Sequence, residues 1–302
     1  MDRHAGILLH PTSLPGPYGI GDLGPAAHQW LDFLARAGCG LWQVLPLGPT
    51  GYGDSPYQTF SANAGNPNLI SPEALAADGL IDPIEPPGLA HDHVDYGLVI
   101  PWKQRVVAAA YQRLLSWDTD HPLRIEFDAF KRDQAAWIGE FTTFMALKEA
   151  HQLVSWVEWP AEYRDREPAA MAEVVTDLAD DCDRIAFEQF LFFRQWERVR
   201  SAARGHGIRI IGDIPIFVAH DSADVWANRD LFSIDAEGWP TVVAGVPPDY
   251  FSDTGQLWGN PLYRWHAHRR DGYQWWIDRV RAILGLVDIV RLDHFRGFYD
   301  YW

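Results

Sequence analysis

Gly207-Ile208-Arg209-Ile210-Ile211-Gly212-Asp213 decides the fold: it sets a short apolar strand, ending in an acid, directly after a helix that bears Trp196 and stops near Gly205 to Gly207. The same grammar recurs downstream. Tyr273, Trp276, Ile277, Val280 and Leu284 lie at i, i+3, i+4, i+7 and i+11 of a predicted helix, Gly285 stops it, and Leu286 to Asp293 reads as the strand. Trp196 to Asp213 and Trp276 to Asp293 span the same 17 residues, so each unit delivers an Asp to the C-terminal end of an apolar strand. Upstream, Pro25 opens a helix in which Trp30, Phe33, Leu34 and Ala37 share a face, Gly38 ends it, and Leu41 to Leu47 follows as a strand. Gly6-Ile7-Leu8-Leu9-His10 reads as an opening strand. Four continuous apolar strands alternating with helices imply a parallel sheet covered on both faces, either doubly wound or a TIM barrel. Neither a G-x-G-x-x-G nor a P-loop follows any strand, which argues against nucleotide binding.

Three regions are expected. Residues 1–80 hold the first strands and their loops. Residues 81–200 hold a linker, 81–101, rich in proline (Pro83, Pro86, Pro87, Pro101), and an inserted, mainly helical subdomain. In that subdomain Val106, Ala109, Ala110, Arg113 and Leu114 suit one amphipathic helix, and Phe141, Phe144, Met145 and Lys148 another. Residues 201–302 hold further strands and an aromatic-rich loop, 245–261.

Composition narrows the partners. The chain has 302 residues, 47% of them hydrophobic, enough for a sizeable core. A net charge of −16 repels nucleic acid and anionic lipid, so neither is an expected partner and a neutral substrate is. Cys39 and Cys182 show no metal-ligand or disulfide framework, and no stretch reads as a signal peptide or membrane span, so a cytoplasmic location is expected. The 15 Trp, 11 Tyr and 15 Phe offer flat apolar faces of the kind that stack on sugars.

Arg291 and Asp293 stand two apart on one strand, so their side chains emerge on the same face at its C-terminal end, where barrel catalytic groups sit. A guanidinium favours the ionised form of a neighbouring carboxylate, as a nucleophile requires, and its planar fork fixes the rotamer. Spacing alone equally allows a structural ion pair that satisfies itself.

Arg291-Leu292-Asp293-His294-Phe295-Arg296-Gly297 resembles the nucleophile motif of glycoside hydrolase family 77, the amylomaltases and 4-α-glucanotransferases of the α-amylase clan. Gly6 to Gly21 (GILLHPTSLPGPYGIG), Gly51 to Tyr57 (GYGDSPY), Gly212 to Val218 (GDIPIFV) and Gly245 to Pro261 (GVPPDYFSDTGQLWGNP) resemble family segments in the same order. The resemblance implies a TIM (β/α)8-type barrel and retaining transfer of α-1,4-glucan segments between maltooligosaccharides, with no cofactor or metal. On that pattern Asp293 is the nucleophile and Arg291 its positioning partner. Asp213 and His294 would order the donor glucose, Tyr57 would stack on it, and Ser55 would be a neighbouring hydroxyl ligand. Loop 245–261 would be an acceptor-side lid in which Asp249, Tyr250, Phe251, Gln256, Trp258 and Asn260 contact the glucan and exclude water.

The same resemblance implies that the general acid/base Glu and a third Asp lie on later strands, while the chain ends nine residues past Asp293 with four of eight strands accounted for. Glu237, in the turn Asp235-Ala236-Glu237-Gly238, is the nearest candidate and reads better as a turn residue. The expectation is therefore the first half of the barrel, inactive alone, from a 4-α-glucanotransferase. A non-catalytic glucan-binding half-barrel and a hydrolytic relative are the alternatives.

Overall fold

The computed structural model describes residues 3–90, 92–250 and 252–299; Phe251, expected on the acceptor side, lies outside them. The chain runs through β1 (Gly6–Leu8), α1 (Pro25–Arg36), β2 (Leu41–Gln43) and α2 (Pro72–Ala77) into a helical stretch. That stretch comprises α3 (Tyr96–Leu115), α4 (Pro122–Asp133), α5 (Ile138–Ala150), α6 (Ala161–Arg164), α7 (Pro168–Asp177) and α8 (Ala179–Gly205). The chain returns as β3 (Arg209–Ile214), α9 (Ala223–Ala227), β4 (Val243–Val246), β5 (Gln256–Pro261), α10 (Trp265–Arg270), α11 (Gln274–Leu286) and β6 (Ile289–Leu292). The four expected strands form one parallel sheet in the order β1-β2-β3-β6, each shorter than or offset from its predicted span.

Helices flank this sheet as the periodicity requires, but with shifted phase. In α1 the buried stripe is Ala27, Leu31 and Leu34, whereas Trp30 is half-buried and Phe33 is exposed, the two rings stacking 5.4 Å apart. In α11 the inward residues are Trp276, Arg279 and Leu286, and Ile277 and Leu284 face out. Gly285 does not stop that helix; it lies inside its last turn, and Tyr273 precedes the helix with a left-handed φ of 62°. Trp196 is fully buried in α8 and donates its indole N–H to the carbonyl of Leu286 at 2.8 Å, so one helix–strand unit is tied to the next.

Pro101 lies inside α3, which starts at Tyr96 because the Asp95 side chain caps it by accepting from the Leu98 N–H. The linker is thus shorter than expected. The buried stripe of α3 is Val99, Lys103, Val107, Ala110, Tyr111 and Leu114, while Ala109 and Arg113 are exposed. Lys103 sets this phase: its buried ammonium donates to Asp22 Oδ2 at 3.1 Å and to the Ile70 carbonyl at 2.7 Å. The helical stretch shares its core with the sheet, since Val107, Phe127, Phe187 and Trp196 join Trp42 and Ile210 in one cluster. The expected boundary at residue 200 falls inside α8. Among the described residues, no helix is long and apolar enough to cross a membrane.

Candidate active site

Parallel pairing of β3 with β6 places Asp213 directly opposite Arg291, one step before the strands end. Arg291 then reaches both acids. One guanidinium nitrogen donates to Asp213 Oδ1 at 2.7 Å and the other to Asp293 Oδ1 at 2.6 Å. The second oxygen of Asp213 accepts from the Tyr57 hydroxyl at 2.9 Å. The result is a chain of contacts, Tyr57–Asp213–Arg291–Asp293, assembled from three elements. Its accessibility is graded: the Asp213 side chain is 0% exposed, whereas that of Asp293 is 33% exposed.

Burial pushes the Asp213 carboxyl above the usual carboxylate range, opposed by the hydrogen bonds from Tyr57 and Arg291. Burial, together with the Asp213 carboxylate, likewise holds the Tyr57 hydroxyl well above its ordinary value, so it stays a donor. The hydrogen bond to Asp213 raises the Arg291 guanidinium further. The arrangement leaves Asp293 oriented and open, and Asp213 buried with both oxygens occupied. At the end of β1, burial pulls the His10 imidazole down to about 4, opposed by the Pro46 carbonyl.

The loop after β6 is held in a single shape. The Asp293 N–H continues the ladder onto the Ile214 carbonyl at 2.9 Å, and His294 takes a left-handed φ of 45°, a conformation that costs energy outside glycine. Gly297 is required for close approach, because a Cβ there would stand 2.9 Å from Ile216 in the loop following Asp213. The His294 ring meets Trp258 edge-on with centroids 5.0 Å apart, and the Trp258 indole N–H donates to Gln256 Oε1 at 3.0 Å. Trp258 therefore touches the loop after β6, and Gln256 is bonded to Trp258.

That segment is not a plain loop. It is an antiparallel hairpin, β4 with β5, bulged between Val243 and Gly245. Asp249 sits in its connecting turn, where its carboxylate accepts from the Ser252 N–H at 3.1 Å, and Tyr250 is fully exposed beside it. Asn260 does not face an open acceptor site: its amide is buried and donates to the Val218 carbonyl at 2.8 Å, fastening the hairpin to the stretch after β3. Ser55 accepts from the Tyr57 N–H at 3.3 Å and so props that residue.

Sequence reasoning missed Arg279. Its guanidinium is buried against the rings of Trp275 and Trp276, and donates to the Pro215 carbonyl at 2.7 Å and to the Tyr263 oxygen at 3.1 Å. It thereby fixes the backbone immediately after Asp213. The only signal in sequence was its place three residues past Trp276, on the inward face of a helix.

The sequence profile of the 4-alpha-glucanotransferase family matches residues 9–302. A 4-alpha-glucanotransferase of Thermus thermophilus is 53% identical over the whole chain, which covers 60% of that protein. The chloroplastic/amyloplastic 4-alpha-glucanotransferase of Solanum tuberosum is 47% identical over 99% of the chain, covering 53% of that protein. Among solved structures, the amylomaltase of Streptococcus agalactiae, in complex with acarbose, superposes with a TM-score of 0.93 at 38% identity, over all of this chain and 61% of that one. The chain thus spans a little over half the length of these relatives.

Proposed function

The chain belongs to the 4-alpha-glucanotransferase family, and we propose from this that it supplies the nucleophile half of an enzyme that moves α-1,4-glucan segments between maltooligosaccharides. The observation that carries the reading is the single guanidinium of Arg291 shared between Asp213 and Asp293. It presents one half-exposed carboxylate in a fixed rotamer and keeps the other buried as its support. Asp293 attacks the anomeric carbon of the donor glucose, the bond to the leaving oxygen breaks, and a covalent glycosyl-enzyme forms with retention to come in the second displacement. An acceptor hydroxyl then attacks the same carbon and releases Asp293.

Tyr57 and His294 line the donor side in this reading, with Ser55 behind Tyr57. The β4–β5 hairpin, bearing Asp249, Tyr250, Gln256 and Trp258, closes the acceptor side and limits water. The four parallel strands are the first four of a (β/α)8 barrel. The acid that protonates the leaving oxygen is not among the described strand ends: these carry Asp213 and Asp293 alone as carboxylates, and Asp213 is closed off by Tyr57 and Arg291. On this reading residues 1–302 alone are inactive toward natural glucans.

Maltotriose tests this. The protein at the length of its relatives should convert it to glucose plus longer maltodextrins, and Asp293→Asn should abolish both products. Glucose and maltose with no longer products would replace transfer with hydrolysis, and longer products from residues 1–302 alone would refute the missing acid.

A further inference from the structure

Away from the strand ends, a cleft of about 670 Å³ opens between α11 on one side and the α4–α5 junction with α9 on the other. Its size lies within the range of small-molecule sites. Trp137 and Trp275 line it from those opposite walls, with Phe193 of α8 between them. Asn63, Gln134 and Gln274 bring amides to it; the Gln134 oxygen accepts from the Trp137 indole N–H and the Gln274 amide donates to Asp278, leaving their other amide atoms as donor and acceptor. Five carboxylates (Asp133, Glu140, Asp224, Asp271, Asp278) and two guanidiniums (Arg279, Arg281) leave the cleft acidic. Several of these charges are already engaged: Glu140 with Arg166, Arg281 with Asp278, and Asp278 also with Gln274. An acidic lining disfavours phosphates and other anions, whereas aromatic walls with amides and carboxylates suit a neutral polyhydroxylated chain.

We propose that this cleft binds a second α-glucan segment, separate from the one undergoing transfer. The sugar class rests on the transferase reading above; the fit to a neutral polyol rests on the cleft alone. Arg279 forms the back of the cleft and also lines the small cavity that contains Tyr57 and Asp213. The two sites therefore share one buried cation while the cleft lacks Tyr57 and Asp213, so a long glucan can be held there without occupying the donor position.

The test is titration of the chain with maltohexaose by calorimetry and tryptophan fluorescence. Ala282→Trp fills the cleft from the partly exposed side of α11, and Trp137→Ala removes one wall; urea midpoints and circular dichroism establish that each variant is folded. Tyr57→Ala disables the donor side. Binding that survives Tyr57→Ala and weakens roughly tenfold or more in both cleft variants is the expected result. Binding lost in Tyr57→Ala and unchanged in the cleft variants overturns the cleft site while leaving the transferase reading intact. Absence of any saturable maltohexaose binding also overturns it, and the maltotriose test then decides the transferase reading separately.

Discussion

Arg291 holds two acids with one planar group, so replacing it separates charge from geometry. Lys at this position keeps the charge but replaces the planar fork with a point ammonium on a flexible stem, so it cannot hold both acids in the same fixed geometry. Arg291→Lys, in the protein at its relatives' length, should lower kcat on maltotriose by about 100-fold with a smaller change in KM, because Asp293 loses its fixed rotamer. A change in KM alone would show that Arg291 binds sugar and does not position the nucleophile. His10 gives the pH dependence. Its folded value of about 4 lies below the ordinary histidine value, so the folded state prefers the neutral ring. Its contribution to stability is complete above about pH 6.5 and is lost as pH falls toward 4. His10→Asn keeps an acceptor for the Thr12 N–H but cannot be protonated, so urea unfolding should show a shallower loss of stability between these pH values. The sequence was most legible where a strand fixed direction: the strand-end placement of Asp213, Arg291 and Asp293 followed from alternation and spacing, whereas their roles came only from the family resemblance. Asn260 and Ser55 were not legible, because a polar side chain near a strand or turn can face a ligand or a backbone group, and only the rotamer decides.

Three helix–strand units were readable because each combines a 3.6-residue period with an apolar run, signals that reinforce one another even where the glycine, as at Gly285, does not end the helix. Helix phase was less legible. Lys103 and Arg279 are charged yet point inward, so stripes that left them out misplaced the buried faces of α3 and α11. The β4–β5 hairpin escaped notice because Pro247, Pro248 and Gly255 read as loop and the strands are only four and six residues long. Trp196 shows how much one element can matter. It is buried in α8 and bonded to Leu286, so Trp196→Ala removes a large core ring and a bond that joins two units. The expected loss is about 3–5 kcal/mol of unfolding free energy by urea titration. A loss under about 1 kcal/mol would mean that α8 and α11 are held together mainly by other contacts.

The molecule as a whole has a sheet whose outer strands, β1 and β6, lack a partner among the described residues. Near those edges Leu8, Ile277, Leu284, Leu292 and Phe295 are exposed. Residues 1–302 should therefore bind an apolar dye and self-associate as concentration rises in sedimentation velocity. A monodisperse monomer that binds no dye would show that the edges are blunted. The parallel order was predictable from the repeated units, but the joint core of sheet and helical insertion was not, since long-range packing leaves no local period. A donor whose leaving group needs no protonation tests Asp293 alone. An α-glucosyl fluoride carrying a second, ring fluorine loses fluoride as its anomeric carbon bonds to the nucleophile, and the ester then persists long enough for mass spectrometry of the peptides. In the protein at its relatives' length, one glucosyl group on the peptide containing Asp293, absent from Asp293→Asn, is the predicted result. A label on Asp213 or on any other carboxylate, or one that survives Asp293→Asn, would contradict it.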